Sequence, residues 1–389
     1  MKFTAYALIA VAFLMPLQGF GTTLLCHGTM ASTVHYTEMR EVAVPQKSLK
    51  VVLEIPTAFN ATLFGYSERV RSFAIHYSKQ PDEVVANNGG IRATWVNPPQ
   101  RLSYAIDASL SVDVRVNGLN SESQLPVKQT IVGEGIGKYL APSKYAQSED
   151  RDVKRLAKAL VNDTRYESAA VAALMLWVSD NIKYDSNVAR HDATWTLHNK
   201  KGTCENYAHL SLALLRSAGI PARYVSGFLM GGDVKIDGDL TSYEYRWDAG
   251  PHSWIEVYYP DRGWVPYEPQ KTLGFVDSDH VRESVGADSA DLPNRLIYTY
   301  TTGDAASAAI KESAQATITH QDSSLQIIQT SAASRHVMIS QQMAHGGVLN
   351  DRMSSFGGEA LLNEYGVPIA VVVAVMASCG FLFARKKRH

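Results

Sequence analysis

Three side chains have the types needed for nucleophilic acyl chemistry: Cys204, His252 and Glu268. Cys204 stands in "KGTCENYAHLSLALLRSAGIPARYVSGF", directly after Gly202 and Thr203. The pattern that follows predicts a helix with Leu210, Leu212, Leu214 and Leu215 as apolar contacts, closed by Gly219 and Pro221. First-turn amides and the positive end of the helix dipole favour a thiolate at such a position. The same amides can face an oxyanion formed on a carbonyl that the sulfur attacks. On position alone, a small buried hydrophobe is the competing reading of this cysteine.

"PHSWIEVYYPDRGWVPYEPQ" reads as a hairpin: a strand from His252 to Tyr259, a turn at Pro260, Asp261, Arg262 and Gly263, and a strand from Trp264 to Glu268. Alternation points His252, Trp254, Glu256 and Tyr258 one way and Ile255 and Val257 the other, so His252 need not be core. A simple turn register leaves Glu268 diagonal to His252, and a bulge or longer loop is expected to close the pair. Cys204 would then be nucleophile, His252 its base and later acid, and Glu268 the group that fixes the imidazole tautomer. Asp261 is the competing carboxylate, weaker because it sits in the turn. Trp195, nine residues before Cys204, carries an indole N–H, but packing against the loop is the preferred reading. Asp233, Asp237 and Asp239 lack calcium-loop spacing and read as a solvated loop. Neither a metal nor a cofactor is expected.

The segments "WVSDNIKYDSN", "KGTCENYAHLSLALLRSAGIPARYVSGF" and "HSWIEVYYPDRGWVPYEP" resemble successive motifs of the transglutaminase-like superfamily. The resemblance runs from about Tyr139 to Val276. It implies a papain-like cysteine fold, with catalytic Cys at a helix start and His and Asp on neighbouring strands. Cys204 and His252 match the family's nucleophile and base. Glu268 stands where the family usually has Asp, one methylene longer, so the geometry of its orienting role is open.

The elements that would carry these residues come in blocks. From about Ala31 to Pro126, segments such as "LKVVLEIP" and "RLSYAIDASLSVDVRVNG" alternate apolar and polar residues between Pro, Gly and Asn turn signals, which predicts an antiparallel sandwich. "DRDVKRLAKALVN" and "SAAVAALMLWVSDNIKY" then show helical spacing, with Trp177 and Tyr184 expected in the core. From about Thr302 to Asn363 the chain is rich in Ala, Ser, Thr and Gln and reads as a stalk.

The ends predict export and anchoring. "MKFTAYALIAVAFLMPLQGFG" has the texture of a signal peptide, with the mature start anywhere from Gly19 to Ala31. The uncharged run from Val367 to Ala384, followed by Arg385, Lys386, Lys387 and Arg388, predicts a membrane-spanning helix with a cytoplasmic tail. With Cys26 in or beside the signal and Cys379 in the span, Cys204 is left as the ectodomain's lone thiol.

The expected fold class is therefore α+β: an N-terminal β-sandwich followed by a papain-like, transglutaminase-like core, with a C-terminal single transmembrane helix. The domains would be a signal peptide at 1–25, the sandwich at 31–135, the catalytic domain at 136–301, the stalk at 302–364, the span at 367–384 and a basic tail at 385–389. A formal net charge of -1 argues against a nucleic-acid partner. The expected function is a surface-anchored cysteine enzyme of the cell membrane, forming a thioester with a peptide or carboxamide carbonyl of a protein or peptide substrate. Water is favoured over an amine as the group that resolves the thioester, making it a peptidase or amidase. A cross-linking transglutaminase and a catalytically inactive surface binding protein are the alternatives.

Overall fold

The computed structural model describes residues 21–340, apart from 46–47, 57–58, 88–89, 117, 128–134, 163, 239–241, 271–275, 293–295, 302–308 and 334–336. Seven strands come first: β1 (Gly21–Ala43), β2 (Ser48–Pro56), β3 (Ala61–Leu63), β4 (Tyr66–Tyr77), β5 (Glu83–Asn87), β6 (Gly90–Val96) and β7 (Arg101–Val116). Their alternation is the cause of their pairing: in β1 the even positions Met30, Val34, Tyr36 and Val42 are buried, and in β7 so are Leu102, Ile106, Leu110 and Val114. A one-residue slip would turn either set to solvent, so the antiparallel β1–β7 register is held from Gly28↔Val116 to Ala43↔Arg101.

Four helices follow: α1 (Arg151–Val161), α2 (Glu167–Asn181), α3 (Ala193–Asn199) and α4 (Cys204–Ser217), with the short parallel pair β8 (Lys183–Tyr184) and β9 (Lys201–Gly202) between them. Asp150 caps α1, accepting from the backbone N–H of Asp152 and Val153, and Asp192 caps α3 through the N–H of Trp195. Then come β10 (Ala222–Leu229), β11 (Gly232–Gly238), β12 (Ser242–Trp247), β13 (Gly250–Tyr259), β14 (Gly263–Tyr267) and β15 (His280–Gly286). The chain continues with β16 (Leu296–Thr301), β17 (Ala309–Ser323), β18 (Gln326–Ala333) and β19 (Val337–Ser340).

A four-stranded sheet of order β14-β13-β10-β15 lies at the centre of the site region. Tyr224, Ile255, Val257 and Val265 join the core formed with α1, α2 and α4. Val225, Phe228, Trp254 and Val281 of the same strands join the core of the amino-terminal sheets. Both faces are thus covered, which is why His252 and Glu256, on the face opposite Ile255 and Val257, are buried as well.

Several expectations are corrected here. The described residues are mostly β, because the helices are confined to 151–217 while strands fill both flanks. Among the described residues no helix is long and apolar enough to cross a membrane. The span expected at 367–384, its tail, and residues 341–364 of the expected stalk lie outside the described residues, as do residues 1–20 of the expected signal. The amino-terminal strands do not close a sandwich alone. β17 pairs with β1 from Met30↔Ser323 to Ala43↔Ala309, β18 pairs with the first part of β1, and β16 pairs with β2. The reason is legible in β17, where Ala314, Ala316 and Ile318 pack on the core in strict alternation with exposed Gln315, Thr317 and Thr319. Alanine supplies the inward face there, and its small area reads as low-complexity sequence. Cys26, expected in or beside the signal, is a buried residue of β1, and burial pushes its thiol up to about 12. The segment around Asp233 and Asp237, expected as a loop, forms the β11–β12 hairpin.

Candidate active site

Cys204 is the first residue of α4. Thr203 is the N-cap, and its backbone N–H donates to Asn206 Oδ1 at 3.0 Å. The amide of Asn206 then donates to the Arg190 carbonyl (3.0 Å) and to Thr196 Oγ1 (2.7 Å), tying the start of α4 to α3 and the loop before it. At the other end of α4 the buried Arg216 donates to the carbonyls of Ala222 and Ala141 and to Ser143 Oγ. The helix is therefore fixed at both ends, and its first residue is half-buried at the edge of a cleft of about 530 Å³.

His252 enters the same cleft from β13 and hydrogen-bonds the Cys204 side chain. Its Nε2 lies 2.7 Å from Glu268 Oε2, so Nδ1 is the ring atom left to face the sulfur. The β13–β14 register is regular from Tyr259↔Gly263 to Ile255↔Tyr267. Glu268 therefore stays diagonal to His252, and the expected bulge is absent from this register. The extra methylene of glutamate spans the diagonal instead. Glu268 Oε1 accepts from the backbone N–H of Gln270 at 2.8 Å, so both carboxylate oxygens are engaged.

Burial works against a charge on His252, but the Glu268 carboxylate and the hydrogen bonds to Cys204 and Glu268 outweigh it and hold the imidazole up at about 10. Burial likewise opposes ionisation of Glu268, yet His252 and then His280 bring it down to about 2. The pair is an imidazolium and a carboxylate at neutral pH.

The remaining expected residues fall elsewhere. Asp261 accepts from Ser121 Oγ (2.8 Å) and the Glu122 N–H (3.1 Å), stapling the hairpin turn to the segment before the helices. Trp195 is partly buried on α3 and is not part of the cleft wall. Tyr184, expected in the core, is 62% exposed and lines the cleft, because α2 ends at Asn181 and β8 runs along the surface.

Other groups at the site had no motif to announce them. His209 is buried on α4 between the rings of Tyr145 and Tyr224, at 5.3 and 5.1 Å between centroids. Burial lowers it to about 4, so it is neutral, donating from Nδ1 to the His191 carbonyl (2.6 Å) and accepting the Ser289 N–H at Nε2 (3.3 Å). It sets two aromatic walls of the cleft. His280, the first residue of β15, lies behind Glu268 with Nε2 3.5 Å from Oε2 and Nδ1 2.6 Å from Asp277 Oδ1. The Asp-x-x-His spacing of Asp277 and His280 is the one sequence cue for it.

Ligand atoms of His252, Glu268 and His280 all lie within 4.8 Å of one another. Both Nε2 atoms aim at one carboxylate oxygen, and the outer ring positions are taken by Cys204 and Asp277. Within the trio His252 and Glu268 are hydrogen-bonded, and His280 Nε2 stands at ion-pair distance from the same carboxylate oxygen.

A cysteine at a helix start facing an imidazole that is backed by a buried carboxylate is the arrangement of a thiol acyl-transfer site. The sequence model described as the transglutaminase-like superfamily matches residues 154–269, a span that contains Cys204, His252 and Glu268. Residues 154–269 thus match a transglutaminase-like core, about a third of the chain. An uncharacterised Bacillus subtilis protein, YebA, is 36% identical over 112 residues, covering 28% of this chain and 15% of that one. A protein-glutamine gamma-glutamyltransferase of Pseudomonas aeruginosa is 37% identical over 70 residues, covering 18% of this chain and 10% of that one. The chain spans only these small shares of the two relatives' own lengths. Among solved structures, a candidate cysteine protease from Cytophaga hutchinsonii superposes with a TM-score of 0.50 at 20% identity, over 79% of this chain and 93% of that one, a likeness of fold.

Proposed function

We propose that the chain is a cysteine acyl-transfer enzyme acting on a protein or peptide carbonyl, with Cys204 as nucleophile, His252 as base and acid, and Glu268 as the group that orients His252. The observation that carries this reading is the double engagement of His252, with Cys204 on one side and the Glu268 carboxylate at 2.7 Å on the other. The sulfur attacks the carbonyl, and its proton resides on His252 Nδ1. The collapsing adduct expels the amine, which takes that proton, and a thioester remains on Cys204. The N–H groups of Cys204 and Glu205 at the start of α4, outside the Thr203–Asn206 capping box, are the proposed donors to the developing oxyanion.

Resolution by water is the favoured second half: His252 takes a proton from water, hydroxide adds to the thioester, and the thiolate leaves. The cleft's polar lining of Tyr145, Tyr184, Ser226, Ser253 and Ser289 supports access of water to the thioester. Transfer to an amine is the second reading, favoured by the name of the Pseudomonas aeruginosa relative.

Intact-mass measurement on the purified chain tests this, with glutamine-containing peptides offered with and without a primary amine. The expected result is an acyl adduct that disappears in Cys204→Ala and decays to hydrolysed product. Amine incorporation would select the transferase, and the absence of any Cys204-dependent adduct would overturn catalysis.

A further inference from the structure

The Glu268 carboxylate is held from both sides. His252 Nε2 lies 2.7 Å from Oε2 and His280 Nε2 lies 3.5 Å from the same oxygen. His280 is fully buried and clamped in turn: Asp277 Oδ1 accepts from its Nδ1 (2.6 Å) and from the Asp279 N–H (3.0 Å), a turn that fixes the ring before β15 begins. The imidazole packs edge-on against Trp254 (5.2 Å between centroids, 88°) and tilted against His252 (5.7 Å, 67°). From β4, the Tyr66 hydroxyl lies 2.8 Å from the His280 carbonyl oxygen and 2.6 Å from Glu68 Oε2. Glu268, Asp277, His252, Asp279 and the Tyr66–Glu68 pair are thus the ionisable groups around this ring.

Glutamate has one more rotatable bond than aspartate, so a diagonal reach to His252 calls for restraint beyond the Gln270 N–H that Oε1 accepts at 2.8 Å. We propose that His280 is a positioning residue: anchored by Asp277, it shares the Glu268 carboxylate with His252 and holds the longer side chain in the orientation that serves Cys204. The inference rests on the catalytic reading above. Burial opposes a charge on His280 and so does the neighbouring His252, but Asp277 and the contact with Glu268 outweigh them and raise it.

The test is the pH dependence of Cys204 alkylation by iodoacetamide, measured on the full chain with Cys204→Ala as blank and thermal melting to verify folding. His280→Gln is expected to move the acid limb of the rate profile up by about one pH unit, a roughly tenfold loss at pH 6. Asp277→Asn is expected to shift it the same way by less, and serves if His280→Gln does not fold. Because His280 acts through Glu268, His280→Gln should add no shift in a Glu268→Ala background. A folded His280→Gln with the wild-type profile, or an equal shift in both backgrounds, would sink the inference while leaving catalysis by Cys204 standing. A wild-type chain with no Cys204-dependent limb would instead remove the catalytic reading, and the inference with it.

Discussion

Glu268 is where one methylene decides geometry. Ile255 pairs with Tyr267, so Glu268 stands past the last rung, two residues out of step with His252. Glu268→Asp keeps the charge but shortens the reach, and is expected to lower the turnover rate by about 10²-fold, the order found for misplacements near 1 Å. Single-turnover kinetics with an activated acyl substrate would check this, and an unchanged rate would show that the backbone follows the side chain. The pair also makes stability depend on pH. His252 is raised from 6.5 to about 10, so its contribution is full below pH 6.5 and is lost as pH rises toward 10. Glu268 is lowered from 4.5 to about 2, so its contribution is full above pH 4.5 and is lost as pH falls toward 2. The urea midpoint should therefore fall from pH 6.5 to 10, and His252→Gln should flatten that limb. That Cys204, His252 and Glu268 would come together was legible from their types and local settings. His280 had only the Asp-x-x-His spacing to mark it, since the role proposed for it comes from Glu268, which lies beyond the end of β14.

Among the elements, β10 makes the site possible by what it lacks. It runs between β13 and β15, and Gly227 sits opposite His252 on one side and Arg282 on the other. A Cβ at Gly227 would lie 2.2 Å from the Val281 carbonyl oxygen and 2.4 Å from Trp254 Cη2. Gly227→Ala must therefore part β15 from β10 or turn the Trp254 ring, and both carry the walls around His280. The expected cost is about 1–3 kcal/mol, typical of an overpacked core. It should come with loss of rapid Cys204 alkylation, read by melting and labelling together. The helix start at Cys204 was readable from Gly202 and Thr203. The need for the gap at Gly227 was not readable, because it depends on an indole from β13 lying across β10.

Across the whole molecule, the amino- and carboxy-terminal strands share one sheet. β1 takes β7 on one side, and β17 and β18 on the other. Hydrogen exchange should find residues 309–323 protected to nearly the same degree as β1, and a chain ending at residue 301 should expose the β1 edge and aggregate. Fast exchange in 309–323 would restore the stalk reading. The helices could be placed from sequence because amphipathic spacing and caps are local. β17 could not, because its inward face is mostly alanine and its partner lies at the far end of the chain. Gln321 of β17 also reaches Asp279, at 2.6 Å, beside the turn that carries Asp277 and His280.

Pairing of Met30 with Ser323 also sets an order of events in time. During synthesis β1 and β7 can meet once residue 116 has emerged, while the partners of the other β1 edge are still being made. At roughly 5–20 residues per second, that edge waits roughly 10–40 s for residues 309–333. A second nascent chain on the same message would carry the same open edge, making exchange of β17 between copies the characteristic misfolding hazard of this architecture.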